Sequence, residues 1–370
     1  MKFTCEKNAL VSAVSVASRT VAQKSTIPAL EGIYIRAGVK LTLSGYNLET
    51  GITISVDAEI QQTGACIMPS RLFFDIIRKL PDDTVSISVD EKFKVSIRGG
   101  ISSFTITAMS SEDYPELPEV ESDKGISLPQ NELKAMIGGT SFAVSENQAR
   151  PIHTGCLFEV EDTSITVVAV EGYRVAQRRW EWKETVGRTP KFVVPPAALK
   201  EAEKILGDTN DPCTFFLGSK HILFTIGEAT LVCRLLEGEF LDWRRVLPQN
   251  QPVKLAVNVA KMTDSIERVG LIISEKLKSP VRCKFGENTA DFRSVSTIGE
   301  AHDVCQIAGD GKDLEIGFIC RYLLDALRAI PDAECSLELI NGLSPFVMNP
   351  CAGSERYSYM VLPVRLKAGE

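Results

Sequence analysis

The stretch "PSRLFFDIIRKLPDD", residues 69–83, decides the fold. Its apolar residues recur with a helical period, so the spacing predicts one short amphipathic helix closed by Pro81. Leu72, Phe73, Ile76, Ile77 and Leu80 form the expected buried stripe. The opposite face carries Arg71, Asp75 and Arg78, spaced four and then three. The 370-residue chain holds 41 Lys and Arg against 48 Asp and Glu, a formal net charge of −7. Arginines in a row on an exposed helix face run against that balance.

The helix has relatives along the chain. "PPAALKEAEKILGDTND" (195–211) and "FICRYLLDALRAIPDAE" (318–334) are also single helices, each ended by Gly or Pro, an acidic turn and a β-like run. The last helical apolar residues, Leu80, Leu206 and Ile330, lie 126 and 124 residues apart. A second helix series, "EKNALVSAVSVAS", "PQNELKAMIGGTSFAVS" and "NVAKMTDSIERVGLII", centres on Leu10, Leu133 and Met262, spaced by 123 and 129. Two series with a period of one third of the chain predict three similar domains. Their boundaries are expected at 1–122, 123–250 and 251–370. Joints such as "YPELPEVESDKG" and "LDWRRVLPQNQP" are strand and turn residues rather than flexible linker, so the domains should abut rigidly.

Between the helices, "VKLTLSGYNLETGITISVDAEI", "SITVVAVEGYRVAQRRWEW" and "KFKVSIRGGISSFTITAM" alternate apolar and polar residues around Gly or Asn turns. Each repeat reads as helix, three or four strands, helix, three or four strands. The fold class is α+β, two helices per domain packed on antiparallel sheets.

Within the repeat, Arg71, Asp75 and Arg78 correspond to Ala197, Glu201 and Lys204, and then to Arg321, Asp325 and Arg328. Two readings stand. Each face is a solvated surface with internal ion pairs, worth about 0.2–0.5 kcal/mol apiece. Alternatively, three like-oriented helices present cations to one shared ligand.

Catalytic patterns are missing. The three histidines, His153, His221 and His302, have no neighbours at zinc spacing, and there is no G-x-S-x-G, Walker loop or G-x-G-x-x-G. "GDGKDLE" (309–315) lacks phosphate-loop spacing, and acidic pairs such as Asp82–Asp83 and Glu112–Asp113 sit in turns. No cofactor or metal is expected. No apolar run approaches the roughly 18 residues of a membrane span, and "MKFTCEKNAL" has no signal-peptide core. A cytoplasmic protein follows, with its ten cysteines as small buried thiols rather than disulfides. The acidic total excludes a surface basic throughout, but not a local basic one.

The order of "MKFTCEKNAL", "KSTIPALEGIYI", "LPQNELKAMI", "RRVLPQN", "LEIGFICRYLLDAL" and "YMVLPVRL" resembles the beta sliding clamps of bacterial DNA polymerase III holoenzyme over essentially the whole chain. The resemblance implies a head-to-tail homodimer closed into a ring, with helices lining the hole and sheets outside. Twelve helices about 10 Å wide give a circumference near 120 Å and an opening of about 28 Å, room for a hydrated duplex. It implies a non-catalytic processivity factor that meets phosphate without reading bases and tethers polymerase by topology.

By the same resemblance, Lys24, Arg71, Arg78, Arg150, Lys200, Lys204, Arg321 and Arg328 would line the hole on double-stranded DNA. The acids between the arginines would keep that contact loose. Pro196 and Ala197 stand where some relatives carry basic residues. An apolar pocket for short linear peptides of polymerase, clamp loader and repair proteins would be walled by His153, Val170, Gly172, Tyr173, Arg174 and Val175. Leu241, Arg245, Val246, Tyr322 and Phe346 would continue it, and Met360, Leu362, Pro363, Val364 and Arg365 would complete it. His153, Tyr173 and Leu241 depart from common relatives, and Lys367–Glu370 extends past the usual end. The dimer contact would use Phe104 and Ile106 of one chain and Leu271 and Ile272 of the other. The competing functions are a repeat-built enzyme and a non-catalytic protein-interaction scaffold without a DNA role.

Overall fold

The computed structural model describes residues 1–273, 279–352 and 356–366. The tail Lys367–Glu370 lies outside the described residues. Among the described residues six α-helices stand at the expected places: α1 Lys7–Ala17, α2 Ser70–Lys79, α3 Gln130–Gly138, α4 Pro196–Ile205, α5 Val259–Gly270 and α6 Cys320–Arg328. Local chemistry sets their starts. Glu6 caps α1 by accepting from the Asn8 and Ala9 amides at 2.9 and 2.6 Å, and those bonds hold its carboxyl below the usual range. Asn258 caps α5 through the Lys261 amide at 3.0 Å.

The chain divides into two compact units, residues 1–134 with 197–235, and 135–196 with 236–370. The first unit holds two antiparallel sheets. A five-stranded sheet runs Ala58–Gln62, Lys2–Glu6, Thr84–Val89, Lys94–Gly99, Ser102–Thr107. An eight-stranded sheet joins Ile126–Pro129, Pro212–Leu217, His221–Ile226 and Ala229–Arg234 to Thr50–Val56, Leu41–Tyr46, Gly32–Ala37 and Gly64–Pro69. The seam between the first and second repeats is a strand pair, Leu231 opposite Ile52 and Ala229 opposite Ile54.

The second unit is built on one ten-stranded antiparallel sheet. Its order is Lys191–Val194, Cys156–Val160, Ser164–Glu171, Arg174–Glu181, Tyr357–Val361, Phe346–Pro350, Glu334–Leu339, Val253–Asn258, Gly299–Phe318, Val281–Ser296. Again the repeats meet by strand pairing, here with Val175 opposite Met360.

Three expectations need correction. Each repeat opens with a strand ahead of its first helix: Lys2–Glu6, Ile126–Pro129 and Val253–Asn258. These runs of four to six residues are too short for period alone to declare. In the third repeat the strands between the helices are two long ones of 16 and 20 residues, not three or four. Leu72 is 49% exposed, although Phe73, Ile76, Ile77 and Leu80 are buried. A helix stripe one residue narrower suffices to cover the sheet, and Leu72 lies at its margin. We expect Ile77→Val to cost about 1 kcal/mol and Leu72→Ala to stay within about 0.5 kcal/mol, read by urea unfolding.

All ten cysteines are free thiols; eight are buried, Cys320 is half-buried and Cys351 is exposed.

Candidate functional site

The three repeat-related helix faces do not behave alike. On α2, Arg78 lies 3.5 Å from Asp75, both well exposed. On α4, Lys204 lies 2.7 Å from Glu201, which also meets Arg19 at 3.6 Å. On α6, Arg321 lies 3.8 Å from Asp325, while Arg328 pairs with Glu267 of α5 at 2.7 Å. Lys24, Arg71, Arg150 and Lys200 are exposed, with no carboxylate within 4 Å among the described residues. Of the eight cations expected to line the hole, these four are the ones without an acidic partner among the described residues.

Asp325 departs most from the expected loose-contact role. Only 22% of its side chain is exposed, and its stronger partner is Arg174 at 2.8 Å, on the sheet behind. Arg174 is itself buried. Its guanidinium lies 3.4 Å from Glu171 and stacks 4.4 Å from the Tyr322 ring centre and 5.7 Å from that of Phe142. Asp325 is therefore a fastener between helix and sheet, and Asp75 is a surface acid.

Strand parity sorts the pocket residues. Directly opposed residues in antiparallel strands share a face. Val170 opposes Val175, Val175 opposes Met360, and Met360 opposes Val347. These four are buried in one apolar cluster with Ile152, Leu157, Val168, Val193 and Trp243, and Val246 and Leu362 pack half-buried against it. The next row is Glu171, Arg174, Val361 and Phe346, and it faces the other way, toward α6. Phe346 sits there between Phe285 and Phe318, with ring centres at 6.2 and 5.1 Å. Phe346 and Arg174 thus leave the expected wall, and Val347 takes the place given to Phe346.

The remaining residues form the rim. Gly172 lies at an open turn where a Cβ would touch nothing within 4 Å. Tyr173 is exposed and stacks on Tyr322 at 6.1 Å, and its carbonyl accepts from the Leu362 amide at 2.8 Å. Pro363 is half-buried, Val364 donates its amide to the Gly317 carbonyl at 2.8 Å, and Arg365 is exposed. Leu241 is exposed, as is Arg245, which pairs with Asp242 at 2.9 Å. His153 meets Phe240 edge-on at 5.1 Å; burial, then the Arg150 charge, push its pKa down, so the imidazole is neutral at pH 7. An apolar floor with an aromatic and cationic rim accepts apolar side chains. Burial pushes thiols such as Cys156 and Cys233 up to about 12, far from nucleophiles. No metal-ligating group of three occurs among the described residues.

Two edge strands bear on the expected contact between chains. The five-stranded sheet ends at Ser102–Thr107, where Phe104 is exposed and Ile106 half-buried. The ten-stranded sheet ends at Val281–Ser296. Leu271, 82% exposed, and the half-buried Ile272 follow α5 directly.

The profile of the DNA polymerase III beta subunit, N-terminal domain, matches residues 1–118; the central-domain profile matches 127–242 and the C-terminal one 244–365. The chain belongs to the DNA polymerase III beta subunit family. A beta sliding clamp of Staphylococcus aureus is 31% identical over 378 residues, covering 99% of each chain. The DNA polymerase sliding clamp from Bacillus subtilis superposes with a TM-score of 0.93 at 29% identity, and the DNA polymerase III beta subunit from Thermotoga maritima with 0.90 at 26%, each covering 99% of this chain and 100% of its own. The fold is thus three clamp-domain repeats of helices on antiparallel sheets.

Trp243, Val347 and Glu159 were not singled out in the sequence. Strand pairing would have given Val347, had the register been known. A lone acid in the apolar run "CLFEV" is the signal that marks Glu159.

Proposed function

We propose that this protein is the DNA sliding clamp of a bacterial replicative polymerase: a non-catalytic accessory subunit that encircles duplex DNA as a homodimeric ring. The observation that carries this reading is the ordered match of all three family domains across residues 1–365. In this reading Lys24, Arg71, Arg150 and Lys200, with the paired Arg78, Lys204, Arg321 and Arg328, meet phosphates through water. Such contact holds the ring without fixing it, because phosphate carries no sequence information.

Ring closure would join the edge strand Ser102–Thr107 of one chain to the third repeat of another, with Phe104 and Ile106 against Leu271 and Ile272. An unpaired edge with exposed apolar side chains favours such pairing. A contact between two different surfaces forms a closed ring when its rotation closes. The domains divide at 1–122, 123–250 and 251–370. The pocket over Val170, Val175, Val347 and Met360 takes short peptides of the polymerase, the clamp loader and repair proteins, and the protein works in the cytoplasm, at the nucleoid during replication.

Light scattering after size exclusion should give twice the 40.5 kDa chain mass. With clamp loader, ATP and the cognate polymerase, products on primed circular DNA should lengthen by at least about tenfold, as expected when rebinding becomes intramolecular. A monomer that leaves product length unchanged overturns the proposal.

A further inference from the structure

The strand Cys156–Val160 carries one carboxylate among apolar neighbours. Glu159 is 4% exposed. It shares a face with Leu157, two residues away, and Leu157 belongs to the apolar cluster under the pocket. A carboxylate in such a place must have its lone pairs filled. Three donors fill them. Lys191 Nζ lies 2.8 Å from Oε1, and Trp243 Nε1 and an Arg244 guanidinium nitrogen donate to Oε2 at 3.1 and 2.6 Å. Arg244 also reaches Glu161 at 3.4 Å and lies 4.4 Å over the Trp243 ring. Burial alone would raise the Glu159 pKa; the bonds from Lys191, Trp243 and Arg244 outweigh it and leave the group below the usual range, charged at neutral pH.

What this anchor holds is a single 3-10 turn, Trp243–Arg245, with no side-chain cap. Three residues make no stable helix by themselves. The turn stays in place because the indole is inserted into the apolar cluster and its N–H donates to Glu159. Leu241 precedes the turn, Arg245 ends it and Val246 follows, and all three belong to the pocket's rim or wall.

We propose that Glu159 is a positioning residue of the pocket: by holding the Trp243 indole and Arg244, it fixes the turn that presents Leu241, Arg245 and Val246 to a bound peptide. The inference rests on the reading of this pocket as the partner site. It assigns affinity to a residue that lies beside the apolar floor and is itself almost wholly covered.

The test uses the full-length clamp over the immobilised replicative polymerase of the same organism, by surface plasmon resonance at 25 °C. Glu159→Ala should weaken binding about tenfold, mostly through faster dissociation. Glu159→Gln keeps an acceptor for the indole and should lose about threefold, as should Arg244→Ala. Glu159→Ala with Arg244→Ala should bind no worse than Glu159→Ala alone, because the two act as one unit. Dimer mass and thermal midpoint are recorded for each variant. A merely structural role predicts a lowered midpoint with unchanged affinity below it. If Glu159→Ala does not fold, Glu159→Gln and Arg244→Ala carry the cycle. Affinities within twofold of the parent in folded variants, or strictly additive losses, overturn the proposal. A parent clamp that does not bind polymerase overturns the pocket reading itself, and the positioning role with it.

Discussion

Replacing Lys24, Arg71, Arg150 and Lys200 together with Glu is expected to cut clamp retention on nicked circular DNA by about 100-fold at physiological salt. These four are exposed and have no carboxylate within 4 Å among the described residues, so each offers its whole charge to phosphate. Arg78, Lys204, Arg321 and Arg328 already neighbour an acid, and reversing those four should cost less. Each lost phosphate contact also removes one counterion-release step. The slope of log retention against log salt should therefore flatten by about 3 to 4. Dimer mass and thermal midpoint should not move, since none of the four side chains is buried. A variant that keeps its salt slope would show that any contact with DNA runs through other groups.

Arg174→Ala is expected to be the most damaging single change to the second unit, by about 3–5 kcal/mol. The guanidinium lies between Asp325 and Glu171 and is stacked on Tyr322. Its removal leaves Glu171 without a counter-charge among the described residues and Asp325 with only the more distant Arg321 at 3.8 Å. The thermal midpoint should fall by roughly 10 °C. Arg174→Lys should recover little, because an ammonium offers neither the fork nor the stack. Arg174→Met with Asp325→Asn should recover much of the loss, since both charges leave together. Asp75→Asn, the repeat counterpart of Asp325→Asn, should stay within about 0.5 kcal/mol. Calorimetry showing less than about 1 kcal/mol for Arg174→Ala would refute the fastener role.

This contrast shows where the sequence speaks and where it stops. Helical period placed the helices α1 to α6, because a stripe at i, i+3 and i+4 is a property of the local chain. The repeat then aligned Asp75, Glu201 and Asp325 correctly. Asp75 and Glu201 keep the local partners Arg78 and Lys204, but Glu201 also meets Arg19, and Asp325 is held chiefly by a residue 151 positions earlier in the chain. No spacing rule reaches that far. Phe346 and Val347 differ by one step along a strand, and one step turns a side chain to the other face. Only the register against Val361 and Met360 shows which of them joins the apolar cluster of Val170 and Val175. Glu159 looked like an ordinary polar residue in a strand, because its three donors come from the strand Lys191–Val194 and the turn Trp243–Arg245.

The seam strands bear on how the chain can be taken apart. The strand Ala229–Arg234 of the second repeat is zipped to Thr50–Val56 of the first, and Arg174–Glu181 to Tyr357–Val361 of the third. Repeats count three, but the compact units count two, and the middle repeat contributes a part of itself to each. Excising that repeat at its sequence borders would leave two raw strand edges, Ala229–Arg234 and Arg174–Glu181, with nothing to close them. The heritable module and the self-supporting module are therefore different pieces of this polypeptide, and a fragment cut for autonomy has to follow the sheets.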